Sequence, residues 1–336
     1  MDTAGLGWGR ARRVPSPAWA VERMAGVPPA PVLAEVRDLA DVSAEADGNP
    51  PLAEQTLVTL RSEDARGVVT VFTARSAGAA GTAQDAELAG VAVVVRGAED
   101  GAVLELVVAP DTRAEGVGTA LVEAVLAAGF DGLKGWSHGN HAAAVDLAAR
   151  FGFEPVRELW RMRLTRAAVE ESAPPLVLPA GVRIRPFVRG QDEEAWLAAN
   201  AAAFVHHPEQ GATTRADLEA RMDEAWFDPE GFLLAVREDD DALLGFHWTK
   251  IHPGAGGHAP MGEVYVVGVT PEAQGTGLGR ALTVAGIDHL HAQGLQAVML
   301  YVDADNTAAV ALYRKLGFTR WDVDVMYAES PSTPTV

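Results

Sequence analysis

The sequence predicts two tandem α/β domains of one design, each an α+β mixed sheet carrying helices, and three observations lead there. At 336 residues the chain exceeds one ordinary compact domain and suits two, each able to bury its own core. The stretch Thr165 to Gly181, rich in proline, alanine and acidic residues, separates two patterned regions and divides the chain almost in half. The two halves then repeat one another. Gly101–Pro110 precedes a glycine-containing helix segment, Thr112–Gly129, just as Gly262–Pro271 precedes Glu272–Leu290, and Trp136–Phe153 matches Tyr301–Phe318 after a small insertion. The expected division is a first domain over 1–166, a linker over 167–181, a second domain over 182–330 and a tail over 331–336.

The elements follow from hydrophobic periodicity and turn residues. In the second half Val182–Phe187 reads as a strand, Gln191–Ala203 and Arg215–Ala225 as helices. Gly231–Arg237, Leu243–His252 and Glu263–Val269 are three successive strands bounded by acidic or Pro/Gly turns. Helix Gly277–Ala292, strand Ala297–Val302, helix Thr307–Lys315 and a strand from Phe318 complete the domain, with Gly317 placed to end the last helix. The first half repeats the later elements from Leu88 onward.

Composition narrows the chemistry. Apolar residues make up 48% of the chain, with no apolar run long enough to cross a bilayer. The N-terminal residues lack the apolar stretch of a secretory signal, so a cytoplasmic location is expected. With no cysteine, disulfides, thiolate metal sites and a cysteine nucleophile are all excluded. A formal charge of −19 and scattered basic residues disfavour nucleic acid and point to a small-molecule substrate. His289 and His291 lie two apart on a helix and share no face, so no metal is assigned. A monomer is the default.

Gln274, Gly275, Thr276, Gly277, Leu278, Gly279 and Arg280 lie between an apolar strand and an amphipathic helix, where backbone N–H groups and the helix dipole cradle a phosphate. Arg280 stands where a Rossmann fingerprint needs glycine, and no Gly-Lys-Ser/Thr follows as a P-loop requires. The spacing Gln-x-x-Gly-x-Gly resembles the pyrophosphate turn of the GNAT acetyltransferases. Their Asn…Ala-x-x-x-Tyr…Gly-Phe segment also has its counterpart, in Asn306, Ala309, Tyr313, Gly317 and Phe318. The resemblance implies two tandem GNAT acyl-CoA N-acyltransferase domains with acetyl-CoA as co-substrate. It further implies that the backbone of Val267, Gly268 and Val269, on a strand splayed from its neighbour, takes the acetyl-pantetheine arm, and that Asn306, Thr307, Ala308, Ala309, Val310 and Ala311 complete the site. Corresponding positions in the first half are Leu106, Val107 and Val108, then Ala114, Glu115, Gly116, Val117, Gly118 and Thr119. Val266, Val267 and Val269 also read as core through their side chains, which is compatible with a backbone contact.

Acetyl transfer to an amine needs a group to take the amine's proton and one to protonate or stabilise the departing thiolate. By the resemblance, Glu263 is the base and Tyr313 the acid. Their plainer readings are a solvated strand-end carboxylate and a half-buried helix tyrosine. Ala102 and Ala148 occupy the equivalent places in the first half. That half keeps the turn Arg113–Gly118, with Glu115 unfavourable beside a pyrophosphate. It is therefore expected to be degenerate: structural or acetyl-CoA-binding, without turnover.

Five second-half segments, His207–Gly211, Glu224–Pro229, Gly245–Pro253, Gly262–Val269 and Leu300–Asn306, look like the mycothiol synthase family, itself a tandem GNAT family. That resemblance implies acetylation of the cysteinyl amine of cysteinyl-glucosaminyl-inositol, with Glu54, Glu209, Lys250, Glu263 and Tyr301 contacting this thiol-sugar substrate. Each has a local alternative. Glu54 fits an exposed helix face, Glu209 a loop cap, Lys250 an edge-strand lysine, and Tyr301 a core position matching Trp136. Two other functions remain compatible with the fold: a GNAT enzyme for another small amine or a peptide N-terminus, and a non-catalytic acetyl-CoA-binding protein.

Overall fold

Alternate side chains along each strand point to opposite faces of the sheet, which sets the layers of this protein. The computed structural model describes residues 19–62, 67–76, 86–97, 101–172, 175–205, 207–254 and 259–330, so the expected tail over 331–336 lies outside the described residues. The chain divides into two compact units, one of Met1–Arg157 with Asp324–Val336 and the other of Glu158–Val323.

The first unit contains β1 (Trp19–Ala25), α1 (Ala30–Asp47), α2 (Glu54–Thr59), β2 (Val69–Ser76), β3 (Leu88–Arg96), β4 (Ala102–Val108), α3 (Val117–Ala127), β5 (Leu133–Ser137) and α4 (Ala142–Phe151). Strands β1 to β4 form an antiparallel meander, and β4 continues parallel to β5. β3 is buried on both faces, so it reads as a continuous apolar run and not as an alternation. Val91 and Val93 pack with Val36 and Leu39 of α1, whereas Ala92 and Val94 pack with Leu121 and Val125 of α3.

The second unit repeats the plan. It begins within β6 (Phe153–Thr165), followed by α5 (Arg166–Ser172), β7 (Val182–Pro186), α6 (Glu193–Ala203), α7 (Pro208–Gly211) and α8 (Arg215–Met222). Then come β8 (Phe232–Arg237), β9 (Leu243–His252), β10 (Met261–Val269), α9 (Leu278–Ala292), β11 (Ala297–Asp303), α10 (Thr307–Lys315) and β12 (Thr319–Glu329). β7 to β10 are antiparallel neighbours, and β10 runs parallel to β11. One face of this sheet carries an aromatic cluster built on Trp196, Phe232, Phe246 and Trp248. Leu290, Leu300, Met162 and Tyr313 belong to a second core.

The units differ from the expected division in two respects, the first with a clear physical cause. β5 needs an antiparallel neighbour and finds it in the last strand of the chain, Val325 opposite Ser137 through Ala328 opposite Lys134. β11 likewise pairs with β6, Ala297 opposite Thr165 through Asp303 opposite Leu159. Each repeat's terminal strand is thus built into the other unit. The start of the expected linker is also ordered differently: α5 occupies it, and Ala168 and Val169 pack on the second core.

Candidate active site

β10 and β11 stay paired only from Gly262 opposite Val298 to Val264 opposite Leu300, although β10 continues to Val269 and β11 to Asp303. The expected splay is present. The Thr270 N–H donates to the Leu244 carbonyl across β9. Alternation along the strand therefore turns the N–H groups of Val267 and Val269 toward the side that β11 has left. A bulge between Val264 and Val266 in the pairing with β9 sharpens the departure.

At the end of β10 the chain makes the turn that the glycine spacing predicts. Gly275 and Gly277 hold φ of 77° and 87°, a region open to glycine at little cost. Gly277 is the N-cap of α9 and offers no side-chain cap. Since Ala281 is the residue that donates to the Gly277 carbonyl, the N–H groups of Leu278, Gly279 and Arg280 have no partner within the helix. Gln274 reaches back to the Val269 carbonyl at 3.4 Å, and Thr276 donates to the Ala273 carbonyl at 2.7 Å. The result is a rigid loop around an uncapped, electropositive helix start, which fits the pyrophosphate of a coenzyme A thioester.

Sheet register collects the expected substrate residues. Glu263 lies opposite Lys250 on β9 and beside Met299 on β11, so Lys250, Glu263, Met299 and, two residues on, Tyr301 share a face. Glu263 is 6% exposed and Lys250 9%. The Lys250 ammonium lies 4.5 Å from the Trp226 ring centroid and 5.1 Å from that of Tyr265, a cation held over aromatic faces. Lys250 is thus buried, not the exposed edge residue of the local alternative. Tyr301 is half-buried, opposite Arg161 on β6. Glu209 lies on α7, with its side chain outside the described residues. The helix itself is pinned by His207, whose Nε2 is 3.0 Å from Asp303 Oδ2, and by Asn200, which exchanges hydrogen bonds with Gln210.

Three contributors lie within segments that carry the family resemblance but were not singled out by it: His252, whose Nε2 is 2.6 Å from Glu263 Oε2, the His207–Asp303 pair, and Trp226. His252 was findable, because strand alternation puts it on the face of Lys250.

Asn306 caps α10 by accepting from the Ala309 N–H at 3.1 Å. Tyr313, one face of α10 inward, packs on Phe318 with centroids 5.8 Å apart. Burial pushes its phenol up to about 12, so the proton stays on oxygen throughout the neutral range.

The first unit carries the same backbone with different chemistry. Its parallel pairing ends at Glu105 opposite Trp136 while β4 runs on to Val108, giving a second splay. Gly116, with φ 95°, starts α3, and Ala114, with φ 62°, stands where the second unit has Gly275. A cavity of about 680 Å³ opens there, lined by Leu106, Val108, Gly116, Gly118 and His141 among others. Arg113 is committed to Asp47 through two hydrogen bonds of 2.7 and 2.8 Å. His141, at the place of Asn306, supplies no side-chain cap. Glu54 opens α2 in this unit and is half-buried.

A charged cluster braces this unit. Both Glu105 oxygens accept the Ala53 N–H, at 3.0 and 3.1 Å. His138 joins Glu105 at 2.8 Å to Asp324 at 3.1 Å. Burial alone would lower the imidazole's pKa, but the hydrogen bonds of Asp324 and Glu105 outweigh it and push it up to about 10. The folded chain thus keeps a proton that the unfolded chain releases near pH 6.5, so the stabilisation is complete below that value and fades as pH rises through about 10. The thermal midpoint is expected to fall over that window and His138→Gln to flatten the fall; parallel curves for the two proteins would refute this.

Two repeats, each with a splayed parallel pair and an uncapped glycine-led helix, define the protein's class as a tandem GNAT acetyltransferase. The Acetyltransferase (GNAT) family model matches residues 196–318 and the Acetyltransferase (GNAT) domain model residues 76–155. A GCN5-related N-acetyltransferase from Sphaerobacter thermophilus superposes with a TM-score of 0.63 at 25% identity, covering 93% of this chain and 97% of that one. A tandem GNAT protein of the clavulanic acid biosynthesis pathway gives 0.67 at 18% identity, covering 94% and 100%, a likeness of fold. The mycothiol acetyltransferase of Paenarthrobacter aurescens is 59% identical over 92% of this chain and 96% of its own length. That of Arthrobacter sp. (strain FB24) is 60% identical over 88% and 92%. The chain belongs to the mycothiol acetyltransferase family.

Proposed function

We propose that this chain transfers the acetyl group of acetyl-CoA to the cysteinyl amine of cysteinyl-glucosaminyl-inositol, yielding mycothiol and coenzyme A, the last step of mycothiol biosynthesis. The observation that carries the mechanism is a buried carboxylate, Glu263, on the strand whose far end splays open toward an uncapped helix start. Acetyl-CoA, when bound, supplies the thioester whose C–S bond breaks as the amine nitrogen bonds to the acetyl carbon. The N–H groups of Leu278, Gly279 and Arg280 hold its pyrophosphate, with Gln274 to Gly277 shaping the loop and Asn306 to Ala311 forming the opposite wall. Those of Val267 and Val269 orient the pantetheine arm, and one of them donates to the carbonyl oxygen on which negative charge develops. Glu263 takes the amine's proton. Tyr313, kept protonated by its burial, donates to the departing sulfur.

Lys250, Glu209 and Tyr301 hold the sugar and inositol hydroxyls, for which carboxylate and ammonium groups are suited partners. The first unit binds acetyl-CoA at its own splay, through Leu106 to Val108 and Ala114 to Thr119, without turning it over. Ala102 and Ala148 stand there in place of a base and an acid. Gly116→Ala, strained at φ 95°, is expected to weaken that binding and leave turnover per folded enzyme largely intact; total loss of turnover would contradict the assignment.

The direct test is coenzyme A release from acetyl-CoA with cysteinyl-glucosaminyl-inositol, simple amines and a peptide N-terminus as competing acceptors. Strong preference for the first supports the proposal. Turnover with only the others keeps the GNAT chemistry and overturns the substrate.

A further inference from the structure

A buried base must lose the proton it has taken before it can act again. The Glu263 side chain is 8% exposed, and its Oε2 lies 2.6 Å from Nε2 of His252, whose side chain is 37% exposed. His252 ends β9, diagonal to Glu263 and on the same face as Lys250. The other charged or titratable groups that strand register brings to this face are Lys250 on β9, Tyr301 and Asp303 on β11, and Arg161 and Arg163 on β6. Lysine and arginine are already protonated near neutrality, and tyrosine gains no second proton there. Asp303 is a carboxylate engaged with His207. Among these side chains, the imidazole of His252 is the one whose two ring nitrogens can take a proton on one side and release one on the other.

We infer that His252 is a positioning and proton-relay residue for Glu263, a role that rests on the assignment of Glu263 as base. Holding Oε2 aims Oε1 at the acceptor amine. As the N–C bond forms, the ammonium proton passes to Oε1 and the carboxylate becomes a neutral acid. Once Glu263 is neutral, exchange with solvent moves the imidazole proton from Nε2 to Nδ1, and a half-turn about the carboxyl's last torsion, which is soft in glutamate, brings its O–H to the freed Nε2. His252 accepts the proton, becomes imidazolium and releases its Nδ1 proton to water. Glu263 is again a carboxylate, the Nε2–H again donates to Oε2, and nothing but one proton has left.

The test uses the full chain carrying His252→Gln, His252→Ala or Glu263→Gln, each checked for folding by its thermal midpoint. Glutamine retains a hydrogen-bond donor but accepts no proton. His252→Gln is expected to keep both KM values and lose about tenfold in kcat, less than the roughly 10² or more that a direct proton-transfer group contributes. In His252→Ala, added imidazole is expected to restore part of kcat in a concentration-dependent way. Wild-type kcat in His252→Gln, or a His252→Ala defect that imidazole leaves unchanged, would overturn the relay. If Glu263→Gln is itself fully active, the base assignment fails and the relay with it. Loss in Glu263→Gln with full activity in His252→Gln removes the relay alone.

Discussion

Glu263→Gln is expected to lower kcat for coenzyme A release by about a hundredfold or more, since general bases contribute roughly 10² to 10⁴, with KM for acetyl-CoA near the wild-type value. The substitution keeps the shape of the side chain, its place opposite Lys250 and a polar partner for His252, while removing the lone pair that takes the proton. The coenzyme contacts sit farther along, from Val267 to Arg280, and do not involve the carboxylate. An α-amine has a pKa of about 8, so raising the pH supplies neutral amine without help, and the deficit of the variant is expected to narrow. A pH–rate comparison of the two proteins checks both parts. Equal kcat at neutral pH would refute the assignment of Glu263.

Trp248→Ala is expected to cost about 3–5 kcal/mol, the range for emptying a large aromatic site in a core. The indole is fully buried, stacked on Phe232 at 4.3 Å and met edge-on by Trp196 at 5.8 Å, Phe227 at 5.8 Å and Tyr265 at 5.4 Å. With neighbours on several sides drawn from strands and helices that hold one another, the gap has little room to collapse. Trp248→Phe is expected to cost far less, because the indole N–H has no hydrogen-bond partner among the described residues. Urea unfolding of the three proteins measures both differences. A Trp248→Ala midpoint near that of wild type would mean that the cluster repacks.

The second half was legible almost element by element, for its strands alternate or are bounded by turns and its helices carry amphipathic faces. Thr307–Lys315 and Leu243–His252 agree with the structure to the residue. The region before Leu88 was not, since β2 is buried nearly throughout and shows no alternation. The four-residue α7 is too short for any helical period, and α5 starts within a stretch whose composition is that of a linker. The exchange of β6 and β12 left no local trace, because a strand's pattern records that it is half-buried and not which neighbour it pairs with. At the site, the glycine turn was legible in its spacing, and the Asn306 segment through its resemblance to the GNAT pattern. Its charged environment depended on non-local contacts such as His252 with Glu263 and His207 with Asp303, which only the fold brings together.

The route of the last strand bears on the order in which this protein is made. Asp324, Val325 and Met326 complete the sheet of the first unit, yet translation supplies them only after the whole of the second unit. Until then β5 presents an unpaired edge, and His138 lacks the carboxylate that secures one side of its ring. A nascent chain stopped after Val323 is therefore expected to leave the earlier-made unit as the incomplete one, open to strand-edge association. The duplicated architecture is closed from its far end.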